Sequence, residues 1–96
     1  MERRARFEWD ARKAGNNVAK HGVSFEEAMT AFGDPLGRIL ADRPHSDAEE
    51  RFLLVGESAR RRLLVVMFTE RGDAIRLVSA RTATPRERRD YEETEE

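Results

Sequence analysis

Hydrophobic and polar positions divide the chain into a first part with helical spacing and a second part with strand spacing. Phe7-Glu8-Trp9 reads as a short extended segment, and Asp10 then caps a helix running from about Ala11 to Lys20, with Ala11, Ala14 and Val18 on one side and Gly22 ending it. Ser24 and Glu27 form the capping box of a second helix. Its hydrophobic staple is Val23 with Ala28, its buried stripe is Phe25, Ala28, Met29 and Phe32, and Gly33-Asp34-Pro35 stops it. A strand is expected near Gly37 to Asp42, followed by a polar loop from Asp42 to Asp47. Three stronger strands are predicted at Arg51 to Glu57, Arg62 to Thr69 and Ala74 to Arg81. The short links Ser58-Ala59-Arg60-Arg61 and Glu70-Arg71-Gly72-Asp73 make them antiparallel hairpins. Leu63 to Phe68 is apolar at both parities, as suits a central strand covered on both faces. Thr84-Pro85-Arg86-Glu87 combines an N-cap, a first-turn proline and a capping-box acid, so a last helix runs from Pro85 toward Glu93. The prediction is an α+β fold: two N-terminal helices, an antiparallel sheet of three to four strands, and a C-terminal helix. With no repeat and no long linker, residues 1–96 read as a single domain with an acidic tail at 92–96.

Composition narrows the chemistry. No apolar run approaches the roughly 20 residues of a membrane span, and the opening Met-Glu-Arg-Arg-Ala-Arg has no signal-peptide stretch. No membrane partner and a cytoplasmic location are therefore expected. The absence of Cys removes disulfides, thiolate catalysis and Cys-ligated zinc, and two His leave little for another transition metal. A mechanism without metal or cofactor is favoured. The net charge of −1 hides an uneven distribution: residues 1–50 carry −2, residues 51–91 carry +5 and residues 92–96 carry −4. Of the 18 basic side chains all but Lys13 and Lys20 are Arg, whose planar fork suits bidentate phosphate contact. A phosphate-binding surface with a solvated acidic end fits this distribution, and so does charge that merely keeps a small domain soluble.

His21 follows the helix ending at Lys20, where the helix dipole favours a protonated ring and Gly22 leaves room around it. It can serve as general acid or base, or simply pack at the corner. Arg51, Arg76 and Arg81 lie within or at the margins of strands, where a guanidinium needs a partner: a phosphate, or Glu57, Glu70 or Asp73. Strict alternation puts Arg76 and Arg81 on opposite faces unless a bulge, or a strand ending at Ala80, re-aims Arg81. Arg60, Arg61 and Arg62 at a hairpin turn and Arg86 on the last helix are RNA-binding candidates or solvated charge. Trp9 is placed either to stack on a base or to fill the core.

Phe7-Glu8-Trp9-Asp10, Lys13, Asn17 and Lys20 through Ala28, followed in order by Phe32 with Asp34-Pro35, His45-Ser46, Glu50-Arg51, Gly56 with Ser58, Glu70-Arg71-Gly72, Arg76 through Arg81, and Glu87-Arg88 with Tyr91, strongly resemble the BrnT family of bacterial ribonuclease toxins. The resemblance covers about residues 7–93 and implies a domain similar to RelE and ParE toxins. It further implies metal-independent RNA cleavage that blocks translation, and neutralisation by a BrnA-type antitoxin, through which the complex meets operator DNA, a heterotetramer being one stoichiometry open to the pair. On this resemblance His21 is the base or acid. Lys20, Arg51, Arg76 and Arg81 hold the phosphate and its developing charge, and Glu70 is a further candidate for proton transfer. The competing readings are a non-catalytic RNA- or antitoxin-binding domain and a ParE-like inhibitor of a DNA enzyme.

Overall fold

Strand pairing organises the molecule, and it does so through one more strand than the sequence pattern suggests. The structure, a computed structural model, describes residues 6–45 and 49–93, and of His45 only the backbone. The acidic end 94–96 and the loop residues Ser46 and Asp47 lie outside it. The order is β1 (Arg6–Glu8), α1 (Ala11–His21), α2 (Phe25–Thr30), β2 (Arg38–Ala41), β3 (Phe52–Glu57), β4 (Leu63–Arg71), β5 (Ala74–Thr82) and α3 (Pro85–Glu93). These form a five-stranded sheet in the order β1-β5-β4-β3-β2. The helices and the last four strands stand where the pattern put them. The extended segment before α1 is itself a strand, and it pairs parallel to β5 through Arg6↔Ala74, Phe7↔Ile75 and Glu8↔Arg76, so the sheet is mixed. Three residues carry too little alternation to be recognised as a strand in isolation.

β4 is central, as its double apolar parity requires. Its Leu64, Val66 and Phe68 join Leu54, Leu77, Ala80, Val23, Phe25, Ala28 and Ala31 in the buried core under α1 and α2. Phe7, Trp9, Phe32 and Phe52 pack against that core, and Trp9 meets Phe25 edge-on at 5.9 Å. The opposite face carries Leu53, Val55 and Val65, with α3 beside them. Tyr91 of α3 donates its hydroxyl to Asp34 at 2.6 Å, and Asp34 also accepts the Glu57 N–H at 2.7 Å. One carboxylate thus fastens α3 to the start of the β2–β3 hairpin.

Two local expectations change. In α1 the buried position is Asn17, while Val18 is 48% exposed. The reason lies in the sheet edge. Beyond the three residues that β1 covers, β5 has open backbone groups, and the Asn17 side chain serves them as a neighbouring strand would. It donates to the Ala80 carbonyl at 2.8 Å, accepts from the Ala80 N–H at 3.0 Å and also donates to the Val23 carbonyl at 2.9 Å. In α2 the Ser24 hydroxyl caps the Glu27 N–H at 3.0 Å, but the Glu27 carboxylate does not complete a capping box. With its side chain only 3% exposed, it binds both ends of the Arg62 guanidinium, with Nε at 2.9 Å, and accepts the Ser58 hydroxyl at 2.7 Å.

Arg62 in turn donates to the Gly22 carbonyl at 3.1 Å, so this part-buried pair pins the α1–α2 corner to the β3–β4 hairpin. The Arg62 hydrogen bond, together with that of Ser58, holds the Glu27 carboxyl below its ordinary range against the opposing effect of burial. Glu27→Ala leaves Arg62 and Ser58 without their acceptor at a part-buried site. With Arg62 a third exposed and screened by water, it should destabilise the fold by about 2–3 kcal/mol, read as a lower urea midpoint at unchanged m-value.

Candidate active site

The arginines at Arg76 and Arg81 come to one face through a β-bulge. On β5, Ser79 is opposite Met67 and Leu77 is opposite Phe68, which leaves Val78 as an extra residue with no partner in β4. Leu77 and Ala80 are both buried under the helices although they are three positions apart. Parity therefore reverses at Val78, and Arg76, Ser79 and Arg81 all turn away from the helical core. Arg51, one residue before β3, shares that face: its Nη1 lies 3.7 Å from the Met67 sulfur. The face is common but not crowded, because five residues of strand put the Arg76 and Arg81 Cα atoms about 15 Å apart.

Two clefts meet at the bulge. The first, a cavity of about 190 Å³, is lined by Arg81, Ser79, Met67, Val65, Leu53 and the buried Asp42. The second, of about 270 Å³, lies between α1 and the β5 edge and is lined by Lys13, Asn16, Asn17, Lys20, His21, Val78 and Ser79. Ser79 is the residue they share. His21 sits at the exposed C-terminal turn of α1, which Gly22 closes in the left-handed conformation at φ 69°, its N–H bonded to the Val18 carbonyl at 2.9 Å. The acid/base candidate and one strand arginine are thus held on either side of a single serine, at the end of the sheet that Asn17 clamps.

Arg81 is oriented from α3. Its Nη1 and Nη2 reach the two oxygens of Glu87 at 2.8 and 2.9 Å, while its side chain remains 40% exposed. Glu87 is also the capping-box acid of α3: Thr84 N–H donates to it at 2.9 Å, and the Glu87 N–H donates to the Thr84 hydroxyl at 3.2 Å. The Arg81 hydrogen bonds lead the shift that takes the Glu87 carboxyl down to about 2, and the same pair raises Arg81. A carboxylate whose folded-state pKa is depressed stabilises the fold above its unfolded value and loses that contribution as pH falls through the folded one. Glu87 should therefore contribute about 1–2 kcal/mol after solvent screening, lost between roughly pH 4.5 and pH 2. Glu27 and Asp34 add to the acid side of the same curve. Thermal unfolding across this range should show a shallower decline for E87Q than for the unsubstituted protein.

A second cationic group occupies the other end of the face. Arg76 pairs with Glu8 at 3.0 Å and Arg71 with Glu49 at 2.9 Å. Arg71 above all, with smaller contributions from Arg51 and Arg76, lowers Glu49. Arg76 and Arg81 do have carboxylate partners, but these are Glu8 and Glu87 rather than Glu57, Glu70 or Asp73; Asp73 lies 3.5 Å from Arg6.

The other sequence candidates are placed elsewhere. Glu70 is paired with Ile75 at the far end of β4, on the helix-bearing face and away from His21. Trp9 belongs to the core rim, and Arg62 is committed to Glu27, with Arg60 3.8 Å from the same carboxylate. Arg61 is an exposed turn residue with φ 64°, and Arg86 is exposed on α3. Four residues that the sequence reading passed over line or orient the clefts: Lys13, Asp42, Ser79 and Glu87. Only Lys13 carried a usable signal, since it stands two helical turns before Lys20 on the same face. Among the described residues no three His, Asp or Glu side chains are grouped to hold a metal ion, and no helix is long and apolar enough to cross a membrane.

The fold is that of a small α+β ribonuclease toxin. The crystal structure of the Brucella abortus ribonuclease toxin BrnT, at 1.1 Å resolution, is similar to this chain with a TM-score of 0.60 and 25% identity, over 84% of this chain and 99% of that one. Residues 9–87 match the family described as the ribonuclease toxin BrnT of type II toxin–antitoxin systems, and the chain belongs to that family. No curated protein sequence matches it significantly. Membership implies an RNA substrate and an antitoxin partner.

Proposed function

We propose that the protein is a metal-independent endoribonuclease that acts at the β5 bulge, arrests translation in the cytoplasm by cutting RNA, and is neutralised by a BrnA-type antitoxin whose DNA-binding part carries the complex to its operator. The observation that most supports the catalytic part is the Val78 bulge, which turns Arg81 to the face beside the cleft that holds His21 and Lys20.

The reaction is attack of a ribose 2′-oxygen on the adjacent phosphorus. The new P–O2′ bond replaces the P–O5′ bond, leaving a 2′,3′-cyclic phosphate and a free 5′-hydroxyl. One group removes the 2′ proton and another protonates the departing O5′. Imidazole is the side chain best suited to such transfer near neutral pH, and His21 is exposed at the cleft. Arg81, pre-oriented by Glu87, and Lys20 face the extra negative charge that builds on the phosphate oxygens. Arg76, about 15 Å from Arg81 along the strand, would guide the flanking strand, while Arg51, against Met67 of the Arg81 cleft, adds positive charge at its margin. Glu70, on the other face, is left outside this set.

The deciding measurement is incubation of the purified protein with RNA in EDTA. Cleavage that persists in the chelator and is lost in H21A supports the reading. Cleavage that requires added metal, or that H21A leaves at full rate, overturns it.

A further inference from the structure

We propose that the cleft between α1 and the β5 bulge holds a second phosphate, that of the nucleotide next to the scissile one, so that single-stranded RNA crosses the sheet edge over Ser79. The proposal rests on the ribonuclease reading and adds to it Lys13 and Ser79 as substrate-binding groups.

Four observations carry it. Lys13 and Lys20, the only lysines in the chain, line this one cleft from one face of α1, two turns apart. Among the described residues neither has a carboxylate partner, although carboxylates pair with Arg6, Arg60, Arg62, Arg71, Arg76, Arg81 and Arg88. Two like charges left unpaired on one helix face raise the positive potential of the cleft and gain from a bound anion. Third, the Ser79 side chain makes no hydrogen bond within the described residues, in a protein whose Ser24 and Ser58 hydroxyls are both engaged. Ser79 lines both cavities, so a hydroxyl able to donate to phosphate oxygen stands between the unpaired lysines and Arg81. Finally, Val78, displaced from the ladder by the bulge, presents a half-buried apolar side chain to the same cleft, a surface for a ribose or base edge.

A ligand with two anionic centres joined by a short polar backbone fits this arrangement, and consecutive phosphodiesters of unpaired RNA have that form. The site at Arg81 takes the reacting phosphate. The site at Lys13 takes its neighbour and contributes binding that is equal in the ground and transition states.

The test uses the full chain and a single-stranded 2′-O-methyl RNA oligonucleotide, which lacks the nucleophile and cannot be cut. Its affinity is measured by fluorescence anisotropy across a salt series, alongside steady-state cleavage of the unmodified strand. Lys13 is exposed and alanine favours helix, so K13A folds. K13A should lower the salt slope by about 0.7, the loss of one single-strand phosphate contact, and raise KM about fivefold at unchanged kcat. S79A should weaken binding with little change in slope. An unchanged affinity and slope in K13A, with R81A inactive, overturns the second site and leaves the catalytic reading standing. If the unsubstituted protein binds but does not cleave, and K13A still lowers the slope, the phosphate site stands and the catalytic reading falls.

Discussion

Arg81→Ala should reduce RNA cleavage by about 10²–10³ in kcat, the usual loss when one pre-oriented donor to a transition-state charge is removed. The size follows from orientation more than from charge. Both Glu87 oxygens hold the guanidinium, and Glu87 is itself fixed by Thr84 at the start of α3, so the donors that remain are aimed before substrate arrives. The substitution spares the Thr84–Glu87 cap and removes a side chain already 40% exposed, so the fold should lose about 1 kcal/mol at most. Activity and stability are thus separable: the loss in kcat should come with a melting temperature lowered by no more than about 4–8 °C. Arg81→Lys keeps the charge without the planar fork and should fall between the two. Single-turnover cleavage beside circular dichroism melts is the measurement, and an R81A protein that cuts RNA at the unsubstituted rate removes Arg81 from the mechanism.

Asn17→Leu should destabilise the protein by about 3–5 kcal/mol. The side chain is nearly isosteric, yet it abandons the Ala80 N–H, the Ala80 carbonyl and the Val23 carbonyl, all in buried surroundings. Each orphaned group carries a desolvation cost of about 1–3 kcal/mol, partly relieved where water reaches the sheet edge. Asn17→Asp keeps the acceptor for Ala80 N–H but sets a buried carboxylate oxygen against the two carbonyls, so at neutral pH it should be at least as destabilising as leucine. Chemical denaturation gives the ordering. A leucine variant as stable as the unsubstituted protein would mean that β5 holds its edge without α1.

What could be read from the chain divides along physical lines. Regular periodicity and capping chemistry are local, so α1, α3 and the β3–β4–β5 hairpins stand within a residue or two of expectation. Long-range pairing is not local. Nothing near Arg6–Glu8 announces a parallel partner at Ala74–Arg76, and nothing near Glu27 announces Arg62. Asn17 was buried where Val18 was expected because a polar side chain completing a sheet edge looks like surface by composition. The site shows the same limit. The residue types at His21, Lys20 and Arg81 were legible, but their meeting depends on one unpaired residue, Val78, and alternation alone placed Arg76 and Arg81 on opposite faces.

Closure of the sheet by its own ends also has a consequence in time. Glu8 meets Arg76 across 68 positions and Asn17 meets Ala80 across 63. During synthesis, at about 5–20 residues per second, roughly 3–13 s separate the appearance of Asn17 from that of Ala80. Through that interval the histidine and lysine arm exists without its arginine, and a nascent chain has no assembled cleft with which to cut the message being translated. On the proposed site, competence to act on RNA would arrive only with the final strand and helix, so any partner that recognises the N-terminal arm would meet the protein before it is armed.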